Sequence, residues 1–138
     1  EYGAELIRSI DMKPETLSRV HKALADVVHG PGGTGGAARS PAIPVAGKTG
    51  TAQVIEMKGA YLKSEQLSYF NRDHAWFVSY APVEKPRVAI AVLVEHGGHG
   101  GAAAAPLAKR VYEEFVEVQE AAAENKREAR AGGQSRAN

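Results

Sequence analysis

The sequence predicts an α+β fold: an antiparallel sheet of about three strands with flanking helices. Apolar residues recur at helical spacing in two separated stretches, and three extended segments lie between them. The last two segments are joined by a turn of hairpin length, which makes them antiparallel neighbours.

Residues 1–13 are short and mixed, with Leu6, Ile7 and Ile10 as the main apolar groups. Pro14 suits a first helical turn, where its missing N–H would be unpaired anyway. Leu17, Val20, Leu24, Val27 and Val28 then form one stripe, predicting a helix over 14–29. The glycine-rich run 30–36 stops it and reads as a connector, since no strand precedes it as a nucleotide loop would require. Pro41 and Pro44 mark another loop. The first strand is expected over 45–55 and contains Gly47-Lys48-Thr49-Gly50-Thr51. Residues 57–72 are polar without periodicity and read as a loop with one helical turn.

The second strand, 74–81, is rich in aromatic and β-branched residues. Alternation sends Trp76, Val78 and Tyr80 to one side and Ala75, Phe77, Ser79 and Ala81 to the other. Trp76 is expected in the core. The third strand, 87–95, is almost unbroken by polar residues, so both its faces should be covered, as in a central strand. Such a strand needs a second neighbour, which this sequence does not supply. After the loop 97–101, a second helix begins near Pro106, with Leu107, Val111, Phe115 and Val118 expected to pack on the sheet. Residues 1–119 read as one unit, and 120–138 as a helical extension or disordered tail of solvated charge.

Composition narrows the function. The 138 residues are 24% charged and 43% hydrophobic, as in an ordinary globular protein. A net charge of +1, from 17 basic and 16 acidic side chains, gives no argument for nucleic acid. Without cysteine there is no disulfide framework, thiolate nucleophile or cysteine-ligated metal. No apolar run approaches the ~20 residues that span a bilayer. Glu1-Tyr2-Gly3-Ala4-Glu5 lacks the pattern of a signal peptide, so the targeting segment of an exported parent is expected upstream.

Lys48-Thr49-Gly50-Thr51 is the motif with chemistry in it. A phosphate-binding loop ending in Gly47-Lys48-Thr49 would need glycine at position 42, which is alanine. It would also need a helix next, whereas Gln53-Val54-Ile55 continues an extended pattern. A Lys-Thr-Gly element of serine acyl-transfer enzymes fits better. Acyl transfer from a peptide with a free carboxylate needs a cation and hydroxyl donors at that carboxylate, which Lys48, Thr49 and Thr51 can supply. Gly50 lets a substrate lie close against the main chain.

The surrounding residues decide between these. Ala46-Gly47-Lys48-Thr49-Gly50-Thr51-Ala52-Gln53 resembles the third active-site motif of class B penicillin-binding proteins. Asp73-His74-Ala75-Trp76-Phe77-Val78-Ser79-Tyr80-Ala81-Pro82 resembles the following strand of that family. Val94-Glu95-His96-Gly97-Gly98-His99-Gly100-Gly101, followed by Ala104-Ala105-Pro106, resembles its last strand and the start of its C-terminal helix. The likeness covers roughly residues 12–118 and is nearest to the elongation-type members.

The resemblance implies a partial penicillin-binding transpeptidase fold, related to the serine β-lactamases. It implies that Lys48 tunes the nucleophile's surroundings and, with Thr49, Gly50 and Thr51, binds the substrate carboxyl end, and that the Thr51 backbone N–H is half of an oxyanion hole. The implied partners are a peptidoglycan stem peptide ending in D-Ala-D-Ala, β-lactams, the missing N-terminal part of the same domain, and elongation-machinery membrane proteins. No cofactor, metal or nucleic acid is implied. The implied location is the periplasmic face of the bacterial inner membrane, with an anchor upstream of this sequence.

That family also uses a Ser-x-x-Lys nucleophile motif and a Ser-x-Asn motif. None of Ser9, Ser18, Ser40, Ser64, Ser68, Ser79 and Ser135 has lysine three residues on or asparagine two residues on. The chain is therefore expected to be the C-terminal part of the domain, inactive alone and prone to self-association through its uncovered apolar surface. The alternative is a non-catalytic module of the same fold that binds peptidoglycan or a partner. A sensor or hydrolase of the same superfamily is disfavoured by the Trp76 strand and the 97–101 loop.

Other polar residues read as structural. His96 and His99 are too few for a closed metal site and belong to a structural or substrate-cleft loop. Asp73 and His74, near Tyr69, are expected to be structural and not an acid–base pair, and His21 and His29 to face solvent.

Overall fold

Pro14 and Glu15 open α1 (Pro14–His29), where a proline and a negative charge both suit a helix N-terminus. This is seen in a computed structural model that describes residues 6–55 and 66–135. Gly30 ends the helix with its N–H on the Asp26 carbonyl at 2.8 Å. Only the C-terminal half of the predicted stripe is covered. Val28 is fully buried, whereas Leu17 and Val20 are exposed. His29 is exposed, as the sequence suggested, whereas His21 is half-buried, and both imidazoles have partners. The Tyr80 hydroxyl meets His21 Nδ1 at 2.8 Å, and His29 Nε2 meets the Val45 carbonyl at 2.9 Å. Both imidazoles thus tie α1 to the sheet.

Three strands form one antiparallel sheet in the order β1-β2-β3: β1 (Ala46–Ala52), β2 (His74–Ala81) and β3 (Val88–Val94). Thr49 pairs with Phe77 and Gly50 with Trp76; Phe77 in turn pairs with Val92 and Trp76 with Leu93. The period-two reading of β2 holds, because Ala75, Phe77, Ser79 and Ala81 are all buried on one face. The loop expected over 57–72 lies outside the described residues up to 65; beyond it, Tyr69–Asn71 forms one 3₁₀ turn.

Two helices follow, α2 (Gly100–Ala103) and α3 (Ala105–Ser135). α3 covers the Phe77 face, but not with the residues its aliphatic pattern suggested. Leu107, Val111 and Val118 are 43%, 50% and 54% exposed. Ala104, Ala105, Ala108 and Tyr112 are buried instead, with Phe115 and Val116 packed beside them. Small alanines let the helix axis approach the sheet, and Tyr112 fills the remaining volume. Its hydroxyl donates to Ser79 Oγ at 3.0 Å, so the polar atom carried inside has a partner. Val28, Ala38, Ile43 and Val45 complete this core.

On the opposite face one further expectation fails and another holds. Trp76 is 38% exposed, with Val78 and Leu93 also exposed, because α3 lies on the other side of the sheet. β3 pairs only with β2 among the described residues, and Ala89, Ala91 and Leu93 are uncovered, as expected of a strand whose second neighbour this sequence does not supply. An apolar strand does need covering on both faces, but the covering layer is not among these residues.

Candidate active site

The second half of β1 carries Lys48, Thr49, Gly50 and Thr51 along a strand whose outer edge is unpaired among the described residues. Strand alternation and the pairing register fix their directions. Lys48 and Gly50 lie on the Val78/Trp76 face, Thr49 and Thr51 on the Phe77/Ala75 face. Lys48 and Thr51 are exposed and Thr49 is half-buried, so neither threonine is sealed in the core. Lys48 Nζ donates to the Thr49 carbonyl at 2.6 Å, which folds the ammonium back along its own strand.

Opposite this strand stands a wall that the motif itself did not reveal. Thr34, from the glycine-rich connector, and residues 99–102 enclose a groove of about 550 Å3 with residues 48–51. Thr34 Oγ1 and Thr49 Oγ1 are 2.8 Å apart. Gly100 lies flat against the sheet: a Cβ there would strike the Trp76 carbonyl and sit 2.6 Å from the Gly50 carbonyl. Gly101 likewise has no room for a side chain against the Thr34 carbonyl. The glycines of the 97–101 loop therefore permit a close approach of backbone to backbone, and the groove is narrow because of them.

The groove combines a lysine cation, two threonine hydroxyls on one strand and an open strand edge. This set can hold a carboxylate by charge and hydrogen bonds while an extended peptide lies alongside.

Other polar residues lie outside the groove, and of these Asp73 is buried with its Oδ1 unpartnered among the described residues. His96 has a left-handed backbone with φ 54°. Its N–H donates to His74 Nδ1 at 2.9 Å, and its Nδ1 meets the Arg72 carbonyl at 3.1 Å. The Asp73 carbonyl accepts the Gly98 N–H at 2.8 Å. Asp73 and His74 thus clamp the loop that leads to α2. Among the described residues no group of three or more His, Cys, Asp or Glu could hold a metal ion.

Residues 99–101 fall in a loop that the sequence reads as structural or cleft-lining, whereas Thr34 had no role assigned to it. A faint signal exists in the flanking glycines Gly33 and Gly35. A Cβ on Gly33 would strike the Val27 carbonyl, and one on Gly35 would lie 3.0 Å from Phe77. Such a run is built for tight packing and not for flexibility.

The sequence profile of the penicillin binding protein transpeptidase domain matches residues 4–113. With the three-stranded sheet and its covering helix, this places the chain in the transpeptidase-domain family of the penicillin-binding proteins. Within that family it is of the class B PBP2, or MrdA, type. It is 45% identical over 103 residues to the peptidoglycan D,D-transpeptidase MrdA of Acinetobacter baumannii, covering 74% of this chain and 15% of that protein. It is 39% identical over 97 residues to MrdA of Haemophilus influenzae, covering 69% and 15%. Among solved structures, PBP2 of Pseudomonas aeruginosa in complex with WCK 5153 superposes with a TM-score of 0.60 at 37% identity, covering 78% of this chain and 20% of that one. The complex of PBP2 and MreC from Helicobacter pylori gives a TM-score of 0.57 at 35% identity, covering 72% and 17%. The chain thus spans about 15% of the length of the curated relatives it matches.

Proposed function

We propose that this chain is part of a peptidoglycan D,D-transpeptidase, and that residues 48–51 form one wall of the cleft for a D-alanyl carboxyl end. One observation carries the reading: two threonines of an open-edged strand line a groove beside a lysine, in a chain of the transpeptidase family. Thr49 and Thr51 hydroxyls hydrogen-bond the substrate carboxylate, with Lys48 supplying positive charge. The Thr51 backbone N–H is one oxyanion donor.

In the parent enzyme a serine attacks the penultimate D-alanine carbonyl and expels the terminal D-alanine. The acyl group then passes from the serine ester to an amine of a neighbouring stem peptide, freeing the serine, and β-lactams acylate that same serine by opening their ring amide. That chemistry places the parent on the periplasmic face of the inner membrane, where its substrate is. The H. pylori PBP2–MreC complex supports elongation-machinery proteins as its partners. None of the seven serines here is followed by lysine at the third position, so the 138-residue chain alone performs no turnover.

Two measurements test this. Incubation of the chain with a fluorescent penicillin is expected to leave no covalent adduct, and a stable labelled band refutes the inactivity. In NMR titrations, an acetylated peptide ending in D-Ala-D-Ala should shift the amides of residues 48–51. Thr49→Val should weaken that binding about tenfold, the loss expected for one hydrogen bond to a charged group. No shift at residues 48–51 refutes the cleft.

A further inference from the structure

We infer that Thr34 is a positioning residue: its hydroxyl donates to Thr49 Oγ1 and thereby aims the Thr49 proton at the substrate carboxylate. The inference rests on the function proposed above and deepens it.

The argument begins with proton counting. A threonine hydroxyl has one proton to donate and two lone pairs to accept with, whereas a carboxylate only accepts. For Thr49 to bind a carboxylate it must give up its proton to that bond. In the 2.8 Å pair with Thr34, Thr49 must then be the acceptor, so Thr34 is the donor. The two hydroxyls form a one-way chain, Thr34 O–H to Thr49 O–H to carboxylate. Each bond in such a chain polarises the next, which strengthens the terminal one. Without Thr34 the Thr49 hydroxyl has no other hydrogen-bond partner among the described residues, and the carboxylate must orient it on arrival.

Thr34 is itself held in place, as a positioning group must be. The Gly35 N–H donates to the Val27 carbonyl at 2.9 Å, and the Gly33 N–H to the Gly30 carbonyl at 3.1 Å. Gly35 packs against Phe77, the residue paired with Thr49 across the sheet. The connector is thus registered to the same strand pair that carries the motif. On its far side the Thr34 carbonyl presses on Gly101, joining both walls of the groove.

The test titrates the 138-residue chain with the acetylated D-Ala-D-Ala peptide and with the same peptide capped as a C-terminal amide. Thr34→Val keeps the branched shape and removes the hydroxyl, and it should weaken binding of the free carboxylate about fivefold. Thr34→Ser should restore affinity to within about twofold, and Thr34→Ala should match the valine variant. The amide-capped peptide should bind all four proteins alike. In the Thr34→Val/Thr49→Val pair the double variant should lose no more than Thr49→Val alone, because the first hydroxyl acts only through the second.

Unchanged binding in Thr34→Val and Thr34→Ala, with Thr49→Val impaired, overturns the inference and leaves the proposed function standing. Equal losses for the acid and the amide overturn it too, by showing a shape effect. Thr49→Val binding as well as the unaltered chain overturns both.

Discussion

At the scale of single residues, Tyr112 shows how the core carries a polar atom. Burial pushes its phenol above the ordinary value of 10.0, and the Ser79 hydroxyl beside it offsets part of that rise. The folded state therefore holds the proton more tightly than the unfolded chain. This group's stabilisation is complete below pH 10.0 and is lost as pH rises through the higher folded value. Tyr112→Phe should cost about 1 kcal/mol at neutral pH, since it leaves Ser79 unpaired. It should also flatten the loss of stability above pH ~10, as read by urea midpoints across the alkaline range. An unchanged alkaline slope refutes this account. Of the pair, Ser79 was legible on the inward face because strand alternation is strict. Tyr112 was not, because aliphatic residues dominate a helical pattern while one aromatic and three alanines determine the packing. The same limit hid Thr34, whose importance comes from a contact fifteen positions away along the chain.

Elements differ in how openly the sequence declares them. α1 and β2 were legible almost to the residue, because a proline, a glycine and a period-two run mark their ends. β3 was legible as an apolar strand in need of cover that this sequence does not supply, because its run is almost unbroken by polar residues. α2 was invisible: four residues, two of them glycine, carry no periodicity. Yet this short helix depends on contact with the sheet. Gly100→Ala would drive a methyl into the Trp76 carbonyl and within 2.6 Å of the Gly50 carbonyl, both fixed by β1–β2 pairing. We expect a loss of about 2 kcal/mol in urea unfolding, the order of an overpacked core site. A displaced Gly50 amide resonance should accompany it. Full stability with an unmoved Gly50 resonance would show that the helix does not bear on the strand.

For the molecule as a whole, the two sides of the sheet are unequal. One carries α3 and the buried core; the other exposes Trp76, Val78 and Leu93 beside an edge of β3 that is unpaired among the described residues. Such an edge offers free N–H and C=O groups next to apolar surface, a template for pairing with another chain. Light scattering on the isolated chain should show mass rising with concentration. Leu93→Lys, which places a charge on that face, should hold it monomeric to higher concentration. A monomer across the whole range for the unaltered chain sinks the expectation. The uncovered third strand was legible from its unbroken apolar run, but the exposure of Trp76 was not, because local pattern does not say on which side of the sheet the helix packs.

α3 begins beside the groove and runs 31 residues without a break, its side chains all exposed from 117 to 129. At 1.5 Å per residue, its far end stands about 45 Å away along the axis. Its exposed stretch thus stands clear of the core, and a dye or tether mounted on residues 117–129 would report the tumbling and company of the molecule while leaving the cleft free for ligand.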